Sequence, residues 1–430
     1  MRSITFPPGR RNAARKRAAA VLALVLALAP TLLAAAPVPG ADLASVRSWL
    51  LAHNPELRAL QAEAGAAQAR VLPAGALPDP MAEIELMGID PDRPSLLPAN
   101  VETTTWRLRQ SFPMWGKRGL ARDVARREAD AASLDREAAA RDLLARAEQA
   151  YVRFWHAREA VAVLDRQIEL LGRMEEVARR RYALGVAAQQ DSIRAQVART
   201  GLQGERIARL AGRDETAAML NAVLARRADA PLAEPAAPPV LALPADTLDG
   251  ALALLADAGH PALQASAARA GAADAAIELQ RRARYPDLGL GIGALQRQDR
   301  VEGYEVMLSV DIPLQQGARR EREREARLRG DAARARSDAL VAELSGQLGQ
   351  AWSQARGAGD QRRLIERTLM PQAQANFESA LASYRVGEVD FGTLLEALEA
   401  WQGADLARLD ARRDELLAAA AVRAITGGVQ

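Results

Sequence analysis

Tyr304-Glu305-Val306-Met307-Leu308-Ser309-Val310-Asp311-Ile312-Pro313 alternates strictly, with Tyr304, Val306, Leu308, Val310 and Ile312 on one side and Glu305, Met307, Ser309 and Asp311 on the other. Successive side chains of a strand point to opposite faces, so this stretch predicts a strand with one apolar and one wet face. Pro313 cannot donate to a strand ladder and ends it. Residues 317–384 then run on with little glycine and no proline, except for Gly357-Ala358-Gly359 and Pro371. At about 1.5 Å per residue such a helix is a rod of about 100 Å. A strand feeding a rod of that length decides the architecture, because the rod must protrude far beyond any sheet the strand joins.

The same succession occurs once earlier. Residues 101–112 put Trp106, Leu108 and Phe112 opposite Thr103, Thr105, Arg107 and Arg109, Pro113 follows, and residues 116–182 contain no proline. Further strands are predicted over 81–89 and 288–295. Landmarks recur in one order: Asn54-Pro55-Glu56-Leu57 with His260-Pro261-Ala262-Leu263, Phe112-Pro113 with Ile312-Pro313, Gln149-Ala150-Tyr151 with Gln350-Ala351-Trp352, and Tyr182-Ala183-Leu184-Gly185 with Tyr384-Arg385-Val386-Gly387. The chain therefore reads as a tandem duplication. Residues 41–227 form a first repeat of helix, two strands, long helix and helix, residues 228–246 a proline-rich linker, and residues 247–430 a second repeat. Within each repeat the first helix is expected over 43–71 or 247–283, and the returning helix over 189–224 or 389–424. Val161, Leu164, Ile168, Leu171 and Glu175 step by three and four, the narrow seam of coiled-coil packing.

Composition agrees with helices rather than with several globular cores. Aromatic residues make up 4% of the 430-residue chain, and its formal net charge is +3. Acids and bases alternate, so no basic face offers itself to nucleic acid. Without cysteine there is no disulfide framework, thiolate metal site or lipid-acceptor thiol. Arg10, Arg11, Arg15, Lys16 and Arg17 precede an apolar run at 18–33 and the small residues Ala34-Ala35-Ala36, so residues 1–40 read as a cleavable export signal.

Enzyme signatures are missing. His53 and His260 sit beside Pro55 and Pro261 at helix starts, where a cap or turn is expected, and His156 lies in the first rod. Gly289-Leu290-Gly291-Ile292-Gly293 falls within a strand, which suits small residues on a barrel's inner face and not a dinucleotide fingerprint. No cofactor is expected. Met81, Met87 and Met307 fall on the wet strand faces, where they read first as gap-filling side chains and second as transient contacts for soft metal ions.

Four strands cannot close a barrel, for which about eight is the practical minimum. Open strand edges cannot sit in lipid. Strands in a membrane would therefore demand a ring of two, three or four copies, among which strand counting does not choose.

Particular words narrow the reading. His53-Asn54-Pro55-Glu56-Leu57, Gln110-Ser111-Phe112-Pro113-Met114-Trp115-Gly116-Lys117-Arg118, Tyr285-Pro286-Asp287-Leu288, Ser309-Val310-Asp311-Ile312-Pro313 and Tyr384-Arg385-Val386-Gly387 with Asp390 resemble, in order and spacing, the TolC-type outer-membrane efflux family. The resemblance covers essentially the whole chain after the signal. It implies a mainly α fold with a β-barrel portion: a homotrimer with a twelve-stranded outer-membrane barrel and a long periplasmic α-helical barrel. It further implies an exit duct that works with a periplasmic adaptor (membrane fusion) protein and an inner-membrane transporter, the RND type being the candidate class. The Gly-Lys-Arg segment is similar to the branch serving heavy-metal cation pumps; ducts for drug efflux or type I protein secretion share the scaffold. A periplasmic coiled-coil adaptor or scaffold is the reading of another class, against which the duplicated strands argue.

Site residues follow from the same resemblance. Asp191, Tyr384 and Glu396 align with a periplasmic gate, although Val389 stands where a relative has arginine and Thr393 where it has an acid. Leu184, Gly185, Val186, Val386, Gly387 and Glu388 form the hairpin tips that dock the adaptor. Trp115, Lys117, Arg118, Arg319 and Arg320 are expected at the membrane interface, with outer-membrane lipid as their partner.

Overall fold

The structure, a computed structural model, describes residues 38–257, 259–297 and 300–427. The expected export signal lies outside the described residues as far as residue 37. The elements in chain order are α1 (Leu43–His53), α2 (Pro55–Ala74), β1 (Met81–Met87), β2 (Thr103–Phe112), α3 (Lys117–Ala183), α4 (Gln189–Val223), α5 (Leu248–Asp257), α6 (Pro261–Arg282), β3 (Asp287–Arg297), β4 (Arg300–Asp311), α7 (Gln316–Leu364), α8 (Met370–Val386) and α9 (Phe391–Thr426). Helix–helix–strand–strand–helix thus occurs twice, and no described helix is long and apolar enough to cross a membrane.

Each helix expected over 43–71 and 247–283 is in fact two, and the proline explains why. A residue before proline is driven out of the helical region, and Asn54 is extended at φ −68°, ψ 123°. Its Oδ1 accepts from the N–H groups of Glu56 and Leu57 at 2.8 and 3.4 Å, capping α2, while its Nδ2 donates to the Val223 carbonyl. His260 repeats the device, Nδ1 accepting from the Ala262 N–H at 3.2 Å. His53 ends α1, with its Nδ1 3.1 Å from the Trp49 carbonyl and its ring stacked on Trp49 at 4.2 Å.

The four strands form one antiparallel sheet in the order β1-β2-β3-β4, which leaves the outer edges of β1 and β4 without a strand beside them. Its register sorts the residues as the alternation predicts. Ala82, Leu108, Ile292 and Val306 share one row, and Ile84, Trp106, Ala294 and Tyr304 the next, on the apolar face. Tyr304, Val306 and Leu308 are 87, 82 and 67% exposed, too much apolar surface for a face meant for water. On the other face Glu83, Arg107, Gly293 and Glu305 form a row. Arg107 pairs with both Glu85 and Glu305, and Arg109 with Glu83 at 2.9 Å. Gly293 makes the reach from Arg107 to Glu305 possible: a Cβ there would lie 2.7 Å from Glu305 Oε1 and 2.9 Å from the Trp106 carbonyl.

From the sheet α3 runs 67 residues, about 100 Å, and α4 returns along its lower half. Packing is distributed along the rods in separate clusters. About midway along the long rods, where α4 and α9 end, Val46, Leu50, Leu143, Tyr151, Leu220 and Leu224 pack in the first half, matched by Leu255, Leu344, Leu348, Trp352 and Val422 in the second. Toward the far ends Leu171, Met174, Phe377, Tyr384, Phe391 and Leu398 close a third cluster. Each fully buried leucine contributes on the order of 1.5–3 kcal/mol. In the predicted seam Val161, Leu164 and Leu171 are buried, while Glu175 turns outward to Arg199 at 3.3 Å. The second rod is continuous in direction but not in winding: Ile365–Leu369 form a π turn between α7 and α8.

Candidate functional site

At the far ends of the rods both hairpins turn in the same way. Gly185 and Gly387 adopt φ +75° and +87°, a left-handed conformation that glycine alone enters without strain. The Val186 N–H donates to the Arg181 carbonyl at 3.0 Å and the Gly185 N–H to that of Tyr182 at 2.9 Å; Glu388 and Gly387 repeat both bonds to Ser383 and Tyr384. This paired closure satisfies the last carbonyls of each helix and needs glycine at its centre. The side chains around it stay outside: Leu184 is 77% and Val386 72% exposed. Val186 and Glu388 are exposed too.

One turn inward lies the candidate gate. Tyr384, 2% exposed on α8, donates from Oη to Asp191 Oδ2 on α4 at 3.1 Å. Arg181, in the last turn of α3, lies over the Tyr384 ring at 4.5 Å, and Phe391, opening α9, meets its edge at 5.5 Å. One residue from each of four helices therefore meets at Tyr384. α4 begins at Gln189, so Asp191 lies within its first turn, where the helix dipole also favours a carboxylate. Glu396 does not join the group. It is exposed on α9 with no hydrogen bond or ion pair among the described residues. Val389 packs against the apolar cluster, and Thr393 is bonded to Asp390, the α9 cap, at 2.8 Å through its N–H.

Burial, and secondarily the Asp191 charge, push the Tyr384 phenol up to about 12. An ordinary tyrosine titrates near about 10. A raised folded-state value means that the bound proton stabilises the closed cluster fully below about pH 10 and that this support is lost as pH climbs through about 12. Tyrosinate could not donate to Asp191 and would repel it. We expect the tip to loosen between pH 10 and 12, read as rising conductance or as faster proteolysis at the Gly185 and Gly387 turns, and Tyr384→Phe to abolish that pH dependence.

The residues expected at the membrane boundary cluster where strands meet rods; Trp115 is half-exposed, and Lys117, Arg118 and Arg319 are part-buried. Trp115, at φ +62°, donates from Nε1 to the Pro286 carbonyl at 2.8 Å and packs on Tyr285. The Lys117 ammonium, 13% exposed, donates to the Tyr285 carbonyl and to Asp287 Oδ1, each at 2.8 Å. Arg118 donates to the Gly75 carbonyl after α2, and Arg319 to the Ala283 carbonyl after α6, both at 3.0 Å. Arg118 and Arg319 thus hold helix C-termini, where the dipole and free carbonyls favour them, and Lys117 holds the segment before β3. Arg320 is exposed. Replacing Lys117 by methionine should cost about 1–3 kcal/mol, because Asp287 would lose its cation in a partly buried site; the expected reading is a lower unfolding midpoint, with Lys117→Arg intermediate.

Two partners of these sites, Arg181 and Asp287, escaped sequence reading. An arginine in a last helical turn and an acid opening a strand look the same whether they face solvent or a neighbour. His156 is 8% exposed and lies 2.7 Å from Asp410, with its pKa lowered by burial and by Arg413; it is a packing residue between α3 and α9. Among the described residues no three His, Cys, Asp or Glu side chains are placed to hold a metal ion.

A long two-rod body rising from a four-stranded sheet with one apolar face is the fold of outer-membrane efflux channels. It superposes on the outer-membrane channel OprN with a TM-score of 0.76 at 19% identity, covering 90% of each chain. The outer membrane protein VceC of Vibrio cholerae gives 0.74 at 18%, covering 90% of this chain and 96% of that one. The MtrE outer membrane channel of Neisseria gonorrhoeae gives 0.74 at 18%, covering 91 and 90%. No curated protein sequence matches. Residues 252–428 match the family profile described as outer membrane efflux protein. The resemblance read from the sequence is borne out: this is an outer-membrane efflux protein fold, and the second half of the chain carries the family's sequence pattern.

Proposed function

We propose that the chain is one subunit of a homotrimeric exit duct, its four strands completing a twelve-stranded outer-membrane barrel and its rods a periplasmic tunnel. The sheet carries this reading: apolar on one face, ion-paired on the other, with open edges at β1 and β4. The rods supply a second support. α6 packs between α3 and α7, whereas its counterpart α2 packs chiefly against α3. If both follow one plan, the free side of α2 takes the α7 of a neighbouring copy, where Leu328 is 59% exposed.

In this reading substrates pass without chemistry from an inner-membrane transporter through a periplasmic adaptor docked at the Gly185 and Gly387 tips. Heavy-metal cations are the first cargo class to test, with drugs and secreted proteins as the alternatives. Deleting the gene should sensitise cells to one class in a panel of metals, dyes and antibiotics. Purified protein should come from the outer-membrane fraction as a trimer that conducts in planar bilayers; a monomer in the soluble periplasm would overturn the duct.

The sheet faces can be tested in the same preparation. Because the chain lacks cysteine, single cysteines at Trp106, Leu308 and Val310 should react with membrane-soluble reagents only. Cysteines at Arg107, Arg109 and Glu305 should react with water-soluble ones, as an aqueous lumen requires. Equal labelling of both sets would refute the orientation.

A further inference from the structure

Arg181, in the last turn of α3, lies between the tip of its own hairpin and the Tyr384 ring of the other, and nothing in the duct's transport role assigns it a part. Its guanidinium lies over the Tyr384 ring at 4.5 Å, an arrangement that attracts a cation to the ring face. One terminal nitrogen, Nη2, donates to the Val186 carbonyl in the first tip at 3.4 Å. The same nitrogen lies 3.4 Å from where a Cβ on Gly387, in the second tip, would stand. Its other terminal nitrogen is buried with no acceptor. Arg181 therefore touches α3, from which it springs, the first tip, the ring of α8 and the turn of the second tip.

The neighbouring bond between Tyr384 and Asp191 links α8 to α4. Together the two contacts fasten both helices of the first hairpin to α8. Below the tip the apolar cluster of Leu171, Met174, Ala178, Phe377 and Ala380 packs α3 on α8; at the tip itself Leu184, Val186 and Val386 are exposed, so Arg181 is the contact that carries this packing to the end of α3. The approach depends on glycine at position 387: a side chain there would press on the guanidinium, in a backbone conformation already strained for any other residue.

We propose that Arg181 is a positioning residue of the closed tip: a clamp within one subunit that holds the α3–α4 hairpin against α8 and must release before the second hairpin can swing. This rests on the gate reading of Tyr384 and Asp191. Planarity matters as much as charge, because the group stacks on a ring and donates sideways in the same pose.

The test uses the full-length trimer, with spin labels on cysteines at Val186 and Val386 in one subunit diluted among unlabelled ones. Arg181→Gln should broaden the distance between the tips and raise resting conductance at least twofold. Arg181→Lys, which keeps the charge but not the plane, should fall between. In a Tyr384→Leu background, where no ring remains, Arg181→Gln should add nothing. An unchanged tip distance in Arg181→Gln, or an equal effect with and without the ring, overturns the clamp. Broadened tips with unchanged conductance support the clamp and overturn the gate on which it was built.

Discussion

Replacing Tyr384 and Asp191 together by alanine should leave the trimer assembled and raise its conductance in planar bilayers severalfold. The double substitution removes a hydrogen bond to a charged acceptor, worth about 1.5–3 kcal/mol, and the ring that Arg181 and Phe391 pack against. A bias of that size shifts a closed-to-open ratio roughly ten- to hundredfold in each subunit. Assembly should survive because the clusters around Leu50, Leu348 and Leu416 lie elsewhere along the rods. Conductance and ion selectivity equal to the unmodified channel would remove both residues from the mechanism. A bulky residue at Gly185, whose Cβ would meet nothing within 4 Å, should act differently, leaving the duct in the outer membrane while efflux fails, because the exposed tip is misshapen and the gate cluster is not.

Gly293→Val should have the largest effect on assembly. Its Cβ would stand 2.9 Å from the Trp106 carbonyl, a backbone atom of β2 that cannot turn aside, and 2.7 Å from Glu305. Overpacking of this kind costs about 1–3 kcal/mol, and here it also breaks the tie from Arg107 to Glu305 across β3. The expected outcome is a sharp loss of heat-stable oligomer on semi-native gels. Gly289→Ala is the control: its Cβ meets the Ser309 hydroxyl, a rotor that can move away, so the oligomer should persist. Equal stability of the two variants would show that the row of glycines on β3 is not what lets its flanking strands join hands.

The strands and rods were legible because their signals are periodic and long. Alternation from Tyr304 to Ile312 assigned every face that the register later gave, and a proline-free run at 116–182 left little but helix for α3. Proline was read at strand ends and missed inside the leading helices, where Asn54 and His260 turn a break into a capped restart. The site was less legible. Tyr384 and Asp191 came from resemblance and do meet, while Glu396, drawn from the same comparison, is exposed and makes no bond to them among the described residues. Lys117 and Arg118, expected at the membrane interface, hold carbonyls from the segment before β3 and from the end of α2, respectively. A cation's partner depends on what the fold brings near, and a single sequence carries no record of that distance.

The π turn at Ile365–Leu369 leaves a trace in the numbering itself. Gln149 and Gln350, upstream of it, are 201 residues apart, and Tyr182 and Tyr384, downstream, are 202 apart. A π turn holds one residue more than the α turn it replaces. The simplest history is a single codon gained in the second half after the duplication, stored as a local swelling so that everything beyond it kept its rotational phase. Without that swelling, one added residue would have turned Tyr384 by about 100° around the α8 axis, away from Asp191. Pro371, which has no N–H to donate, sits just beyond the swelling, in the first turn of α8. Deleting Glu366 should therefore be tolerated better than deleting any residue of α8.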